Sequence, residues 1–571
     1  MIKPSHYDDD GYVIQWIRSA IPSNSLAVIY GIALDCAKRH VLGESVDIKL
    51  SAYDETNTRI KTKSIRNRIK RSGGFGLVAL VGVQSNQFPR AMDIARQFRA
   101  SDIQVAIGGF HVSACLSMLP ELPSELKEAQ DLGVTLFAGE LEGRLDDLLQ
   151  AAYSRKLKPL YNHMHDLPEL AGAAVPFLPE KLLKRTANFR TTFDAGRGCP
   201  FLCSFCTIIN VQGRQSRFRS ADDVERIVQI NAEQGVSNFF ITDDNFARNI
   251  NWEAILNRLI KLREEYGLEM NLIIQVDTMC HKVPGFIDKA GRAGVNRVFI
   301  GLENINPESL KEARKGQNRI TEYRTMLQAW HGVGAVTYAG FILGFRNDTP
   351  TTIERDIKII QRELPIDILE FFILTPMPGS QDHKQLYEQG IVMDPDMNNY
   401  DLEHVTTEHP LMSKQQLLDI YRRAWDIYYT PEHVETILRR AKAWGYNSKA
   451  MMNKLLLFYT FPKVGNIHPL EGGLFRRKYR RDRRYRFPIE NPVAFYSHYI
   501  STSISEHLQF FRLYFRFFGI LRRVDKDDRS YTDIALNPVR ECEFDELELY
   551  SASAAARASV DKVRASRKRA K

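Results

Sequence analysis

Cysteine is scarce in this sequence, with 7 residues in a chain of 571. So few cysteines cannot form the disulfide framework that holds small secreted proteins together. The chain also lacks an apolar run long enough to span a bilayer, and its N-terminus lacks the pattern of a signal peptide. These absences predict a cytoplasmic protein in which clustered cysteines serve metal or redox chemistry.

Positive and negative residues are nearly balanced over most of the chain, although its formal net charge is +9. Apolar residues make up 44% and charged residues 26%, which is typical of globular proteins. A length of 571 residues predicts two or three domains, because single cores rarely grow so large. Basic residues concentrate at 476–486 and 564–571, which suits either an anionic partner or a solvated surface.

The first section, residues 1–155, alternates short apolar runs with helical stretches. The pattern predicts strands at 78–83, 105–107 and 134–138, and therefore a doubly wound parallel sheet. Ligands of such sheets bind beyond the carboxyl ends of the strands. The candidate residues at those ends are Gln84, Ser85, Gly108, Gly109, His111, Gly139 and Glu140.

The rest of the chain divides into three parts. Residues 156–188 are polar and contain proline, which predicts a linker. Residues 189–395 repeat a strand–helix unit six times, which predicts a partial (β/α)6 barrel with functional residues at the carboxyl ends of its strands. Residues 396–571 are predicted to be mainly helical. The expected fold class is therefore α/β with a helical C-terminal extension.

Three cysteines, Cys199, Cys203 and Cys206, lie within eight residues. Thiolates are the soft ligands that iron–sulfur clusters require. A structural zinc site needs four ligands, and no nearby cysteine or histidine supplies the fourth. A four-iron cluster on three cysteines leaves one iron open for another ligand. The segment therefore predicts a catalytic 4Fe–4S cluster.

This CxxxCxxC segment resembles the hallmark of the radical S-adenosylmethionine superfamily. The resemblance implies that the open iron binds S-adenosylmethionine, which is then cleaved reductively to a 5′-deoxyadenosyl radical. It also implies an external one-electron reductant such as flavodoxin or ferredoxin. Phe205 matches the aromatic residue common before the third cysteine, and it would pack against the adenine.

Further residues at predicted strand ends resemble the cofactor-binding positions of that superfamily. Asp243, Asp244 and Asn245 stand where its amine-binding motif lies, although the two aspartates could instead cap a helix. Glu303 matches a residue that contacts the ribose or the amino acid part of the cofactor. The other candidate contacts are Gln275, Asp277, Gly340 and Ile342.

The N-terminal section resembles the Rossmann-like cobalamin-binding domain found in one branch of the superfamily. The resemblance implies that the candidate loops of residues 1–155 hold cobalamin. The usual DxHxxG signature for a lower cobalt ligand is absent, and His6 is the candidate in its place. The other interpretations are a solvated His6 and a His111 that only hydrogen-bonds the sheet edge.

Together these features predict a cobalamin-dependent radical methyltransferase acting on an unactivated carbon or phosphorus of a small molecule or lipid. The alternatives are oxidative cyclisation or rearrangement without methyl transfer, and a cobalamin-sensing regulatory protein. Nucleic acid is not an expected partner. The sequence does not name the substrate.

The C-terminal third pairs a basic stretch, 476–486, with an aromatic one, 509–520. This pairing predicts a peripheral contact of residues 476–520 with the inner face of an anionic membrane. The alternative is a buried helix beside a surface loop.

Overall fold

The structure is a computed structural model that describes residues 1–537. Its first sheet has six strands, all parallel, as the N-terminal pattern predicted. In spatial order the strands are Tyr53–Asp54, Ile2–Lys3, Leu77–Leu80, Gln104–Gly108, Thr135–Ala138 and Leu160–Asn162. The helices of this part are Asn24–Lys38, Thr62–Arg71, Phe88–Arg99, Phe110–Met118, Ser124–Asp131 and Leu145–Tyr153.

The sixth strand of this sheet, Leu160–Asn162, lies inside the segment predicted as a linker. It pairs with the strand Thr135–Ala138 and extends the sheet beyond residue 155. Three residues are too few to show strand alternation in a sequence. The connector then crosses the helix Asn24–Lys38 so closely that a Cβ at Gly31 would lie 2.1 Å from the Val175 carbonyl oxygen.

The second sheet also has six parallel strands, and their spatial order follows the chain. This confirms the predicted series of six strand–helix units. The strands are Arg190–Phe193, Asn238–Ile241, Asn271–Asp277, Val295–Glu303, Val336–Leu343 and Ile368–Ile373. The helices around them are Ile208–Val211, Ala221–Ala232, Trp252–Glu264, Phe286–Ala293, Pro307–Glu312, Tyr323–Gly332, Pro350–Glu363 and Gln381–Glu388.

The described C-terminal part is mainly helical, as predicted. Its helices are Lys414–Tyr428, Pro431–Ala443, Ser448–Thr460 and Pro492–Lys526. An unpredicted strand, Gly473–Arg477, pairs antiparallel with Gln15–Ser19, so the two ends of the described chain are held together. Within residues 1–537, no helix is both long and apolar enough to cross a membrane. The predicted basic segment 564–571 lies outside the described residues.

Candidate active site

A cavity of ≈ 620 Å³ lies between the two sheets and the C-terminal part. The carboxyl ends of parallel strands contribute to it from both sheets, which is where such folds place ligands. Its lining includes Gln84, Ser85 and Phe110 from the first part of the chain, Arg197, Thr207, Asp244 and Phe372 from the second, and Tyr400, His468 and Glu471 from the third.

The three cysteines lie on the loop after the strand Arg190–Phe193. A two-stranded hairpin, Gly196–Arg197 with Arg217–Phe218, closes the base of this loop. Gly198 adopts φ +94°, and a Cβ there would lie 2.5 Å from the Gln215 carbonyl oxygen, so only glycine fits. The Cys199 amide donates to the Gly213 carbonyl at 3.2 Å, and the Cys206 amide donates to the Cys203 carbonyl at 3.2 Å.

The thiols of this loop are close enough to influence one another's protonation. The pKa of Cys206 is raised to about 12, mainly by burial and also by the Asp244 carboxylate and the other two thiols. Burial also raises the pKa of Cys199. Such thiols become thiolates only when a cation binds them, and three clustered thiols suit an iron–sulfur cluster. The donor set therefore fits the predicted cluster.

Asp243 is held by the protein backbone and does not face the cavity. One carboxylate oxygen accepts the Ala195 amide at 2.7 Å and the Gly196 amide at 2.8 Å, and the other accepts Asn249 Nδ2 at 2.8 Å. Gln275 Nε2 donates to the Asp243 carbonyl at 3.3 Å. These contacts of Asp243 and Gln275 anchor the start of the cysteine loop, and their contact with S-adenosylmethionine stays a prediction.

Asp244 does line the cavity. Burial raises its pKa to about 7, and Arg197 offsets only part of this effect. The neighbouring Asn245 donates from Nδ2 to Asp277 at 2.9 Å, and Asp277 also accepts a bidentate pair of bonds from Arg248 at 2.7 and 2.9 Å. Asp277 therefore orients Asn245 and Arg248, and the structure does not place it in the cavity.

An apolar cluster lies beside the cysteine loop. Phe205 and Phe372 pack against Ile342 and Phe345 there. This brings together two of the residues predicted to contact S-adenosylmethionine, Phe205 and Ile342. A Cβ at Gly340 would lie 3.1 Å from Phe299 and 3.2 Å from Phe372, so aromatic side chains of the barrel fill the space beside that glycine.

Glu303 ends the strand Val295–Glu303 with φ +63°, an uncommon conformation for a residue with a side chain. Its carboxylate pairs with Lys315, which also donates to the Gly301 carbonyl at 2.9 Å. The Lys315 ammonium lies 5.9 Å from the centre of the Phe205 ring. Sequence reasoning missed Lys315, because a lysine after a helix carries no recognisable pattern.

The predicted cobalamin-binding loops separate into two groups. Gln84 and Ser85 line the cavity, whereas Gly108, Gly109, His111, Gly139 and Glu140 are not part of its lining. Glu140 instead accepts hydrogen bonds from Arg197 at 2.7 Å and from Arg217 at 2.8 Å. A Cβ at Gly109 would lie 2.2 Å from the Val83 amide nitrogen, so this glycine serves backbone packing. His111 is fully buried inside the protein (0% exposed).

His6 lines the cavity and pairs with a residue that sequence reasoning missed, Glu471, at 3.0 Å from Nε2. Burial lowers the pKa of His6, but the Glu471 carboxylate outweighs burial and the net shift is upward. Nearby, His468 stacks on Phe372 with ring centres 4.6 Å apart, and burial lowers its pKa to about 4. Both missed residues are more than 460 positions from His6 and match no motif.

Residues 194–360 match the family model of the Radical SAM superfamily. The chain is 26% identical over 353 residues to bacteriochlorophyllide d C-12(1)-methyltransferase of Chlorobaculum tepidum, over 61% of this chain and 73% of that protein. It is 22% identical over 388 residues to hopanoid C-2 methylase of Rhodopseudomonas palustris, over 67% and 70%.

Among solved structures, the chain is similar to the radical S-adenosylmethionine methyltransferase TsrM of Kitasatospora setae, solved with tryptophan and an S-adenosylmethionine analogue. The TM-score is 0.51 at 16% identity, over 64% of this chain and 74% of TsrM, which shows a shared fold. Residues 194–360 thus form a radical SAM domain, and the cysteine loop lies within this matched segment. This class uses the 4Fe–4S cluster and the S-adenosylmethionine that the sequence predicted.

Proposed function

We propose that the chain is a cobalamin-dependent radical SAM methyltransferase acting on an unactivated carbon or phosphorus. The observation that carries the proposal is the shared cavity. It is lined on one side by Gln84 and Ser85, after strands of the Rossmann-like part, and on the other by Thr207 and Asp244, beside the cysteine loop. Two cofactors bound at these two places would face one substrate.

Cys199, Cys203 and Cys206 are the proposed cluster ligands. The proposed contacts of S-adenosylmethionine are Phe205 and Ile342 for the adenine, and Asp244, Asn245 and Glu303 for its polar groups. When bound, the cluster and S-adenosylmethionine would supply a 5′-deoxyadenosyl radical, and cobalamin would supply a transferable methyl group. The protein's own residues position these groups and exclude water from the cavity.

Cobalamin is proposed for the first part of the chain, whose sheet and loops suit a ligand at the strand ends. TsrM, whose fold this chain shares, has also been solved with cobalamin and a 4Fe–4S cluster bound. His6 lines the cavity, but its side chain is paired with Glu471. Coordination of cobalt by His6 would require this pair to open, so we propose that cobalamin binds without a histidine ligand.

The predicted membrane contact of residues 476–520 stays a prediction. Two residues of its basic part, Arg476 and Lys478, pair with Asp8, Arg476 at 2.5 Å and Lys478 at 2.8 Å. The long helix that follows does expose an apolar face, because its outward residues recur every three or four positions. These residues are Tyr496, Ile500, Ile504, Leu508, Phe511 and Phe515. A lipid substrate fits such a surface better than a freely soluble one.

The test uses anaerobically purified protein supplied with hydroxocobalamin, S-adenosylmethionine carrying a deuterated methyl group, and a reductant. The proposal predicts 5′-deoxyadenosine in solution and the deuterated methyl group on the bound corrinoid, detected by mass spectrometry. Formation of 5′-deoxyadenosine with cobalamin bound but never methylated would instead support cyclisation or rearrangement. Cobalamin binding without any cleavage of S-adenosylmethionine would support the sensor.

A further inference from the structure

A second group of metal-ligating side chains lies behind the cavity wall, away from the cysteine loop. His111 and Cys115 lie on the helix Phe110–Met118, and Glu125 lies in the first turn of the helix Ser124–Asp131. One ligand atom of each residue lies within 4.8 Å of the ligand atoms of the other two. His111 is 0% and Cys115 is 1% exposed, so these groups converge inside the protein.

The ring of His111 is oriented from outside the group. Its Nδ1 lies 3.1 Å from the hydroxyl of Ser85, which lines the cavity. Within residues 1–537, its Nε2 has no hydrogen-bond partner and faces a carboxylate oxygen of Glu125 at 3.5 Å. When Nδ1 donates to Ser85, the lone pair of Nε2 points at that carboxylate, an arrangement that a cation between the two would stabilise. Metal-binding histidines are commonly held in this way by a second hydrogen bond.

A fourth group approaches from the barrel side. His383, in the helix Gln381–Glu388, is 5% exposed, and its Nδ1 has no hydrogen-bond partner in the described part of the chain. The pKa of His383 is lowered to about 4, mainly by burial and also by the nearby His111, while Glu125 opposes the shift. The loop before this helix presses on the first helix, since a Cβ at Gly379 would lie 2.6 Å from Ala114 Cβ. The segment that leads into the helix of His383 thus packs against the helix that carries His111 and Cys115.

We propose that His111, Cys115 and Glu125 bind a divalent zinc ion, with His383 as the fourth ligand. Zinc takes nitrogen, sulfur and carboxylate ligands tetrahedrally at about 2.0–2.3 Å, which places ligand atoms about 3.3–3.8 Å apart. For His111, Cys115 and Glu125, closing from separations of up to 4.8 Å requires only small side-chain movements. Binding forms a zinc–sulfur bond, and the Cys115 proton leaves to solvent, so no oxidant or reductant is needed.

The ion would fasten two helices of the Rossmann-like part to the end of the barrel. Through the hydrogen bond between His111 and Ser85 it would also fix one wall of the cavity. The proposed role of the zinc ion is structural, and the zinc site does not depend on the proposed methyl transfer. Without an ion, the same side chains would form only a histidine–glutamate pair beside a neutral thiol.

The test counts zinc in the full chain after Cys199, Cys203 and Cys206 are all changed to alanine, so that the cysteine loop cannot contribute. Protein from zinc-supplemented cultures is expected to hold ~1 zinc per chain by mass spectrometry. Adding Cys115→Ala should remove it, and Glu125→Gln should weaken zinc binding at least about 10-fold. Cys36→Ala is the matched control, because Cys36 is another buried cysteine (0% exposed), and it should change nothing.

A second measurement needs no substitution. X-ray absorption at the zinc edge of the holoprotein should show one sulfur with nitrogen and oxygen neighbours, whereas zinc in the cysteine loop would show several sulfurs. Zinc absent from the triple-alanine chain, zinc retained after Cys115→Ala, or an all-sulfur environment would each overturn the proposal. If the triple-alanine chain does not fold, the absorption spectrum decides.

Discussion

Asp243 holds the start of the cysteine loop through three hydrogen bonds to its carboxylate. Replacing it with alanine removes an acceptor from the Ala195 and Gly196 amides and from Asn249. Each buried donor left without a partner costs about 1–3 kcal/mol, so losing the acceptor of three donors in Asp243→Ala should destabilise the central part by roughly 3–9 kcal/mol. Because the freed backbone leads directly into Cys199, the variant should also lose iron.

The matched control is Asp244→Asn, one position further along. Asp244 lines the cavity, and beyond its own backbone no hydrogen bond to it is found among the described residues. This variant should keep its thermal midpoint and its iron while losing affinity for S-adenosylmethionine. Calorimetry, iron analysis and equilibrium binding separate the two outcomes. An Asp243→Ala protein with unchanged midpoint and iron, but weakened cofactor binding, would refute the anchoring role and restore the sequence prediction.

Glu303→Ala should weaken S-adenosylmethionine binding by at least about 10-fold, as loss of a charged hydrogen bond costs about 1.5–3 kcal/mol; iron content should not change, and normal turnover would place Glu303 outside the site. The pKa of His6 is raised and that of Glu471 is lowered, so their ion pair should stabilise the fold mainly between about pH 4.5 and 6.5. The stabilisation is lost as pH rises through the raised pKa of His6 or falls through the lowered pKa of Glu471. The gap in melting temperature between wild type and His6→Gln should therefore shrink from pH 6 to pH 9, and a constant gap would argue against the pair. Phe511→Ser with Phe515→Ser should abolish flotation with anionic liposomes without unfolding the protein, and no flotation of the wild type at low salt would end the membrane hypothesis.

The elements that the sequence predicted well have strong local patterns. Six consecutive strand–helix units, the N-terminal parallel sheet and the helical C-terminal part are all present in the structure. A local pattern of the same kind begins the helix Ala221–Ala232, where the Ser220 side chain accepts the Asp223 amide. Local periodicity and capping chemistry suffice for such features.

The features that the sequence did not predict depend on contacts between distant segments. The strand Gly473–Arg477 pairs with Gln15–Ser19, and the ion pair of Glu471 depends on His6. Glu140 follows a strand end like a ligand-binding residue, yet the fold brings Arg197 and Arg217 against it. A motif fixes which residue stands at a strand end, but only tertiary packing decides whether its side chain turns toward the cavity or the core.

The account depends above all on the cluster at Cys199, Cys203 and Cys206. The most direct measurement is electron paramagnetic resonance of the anaerobically reconstituted and reduced protein, before and after S-adenosylmethionine is added. The account predicts the signal of a reduced four-iron cluster that changes when the cofactor binds its open iron, and that disappears in Cys203→Ala. A protein that holds only zinc at this loop, or a cluster signal indifferent to S-adenosylmethionine, would contradict it.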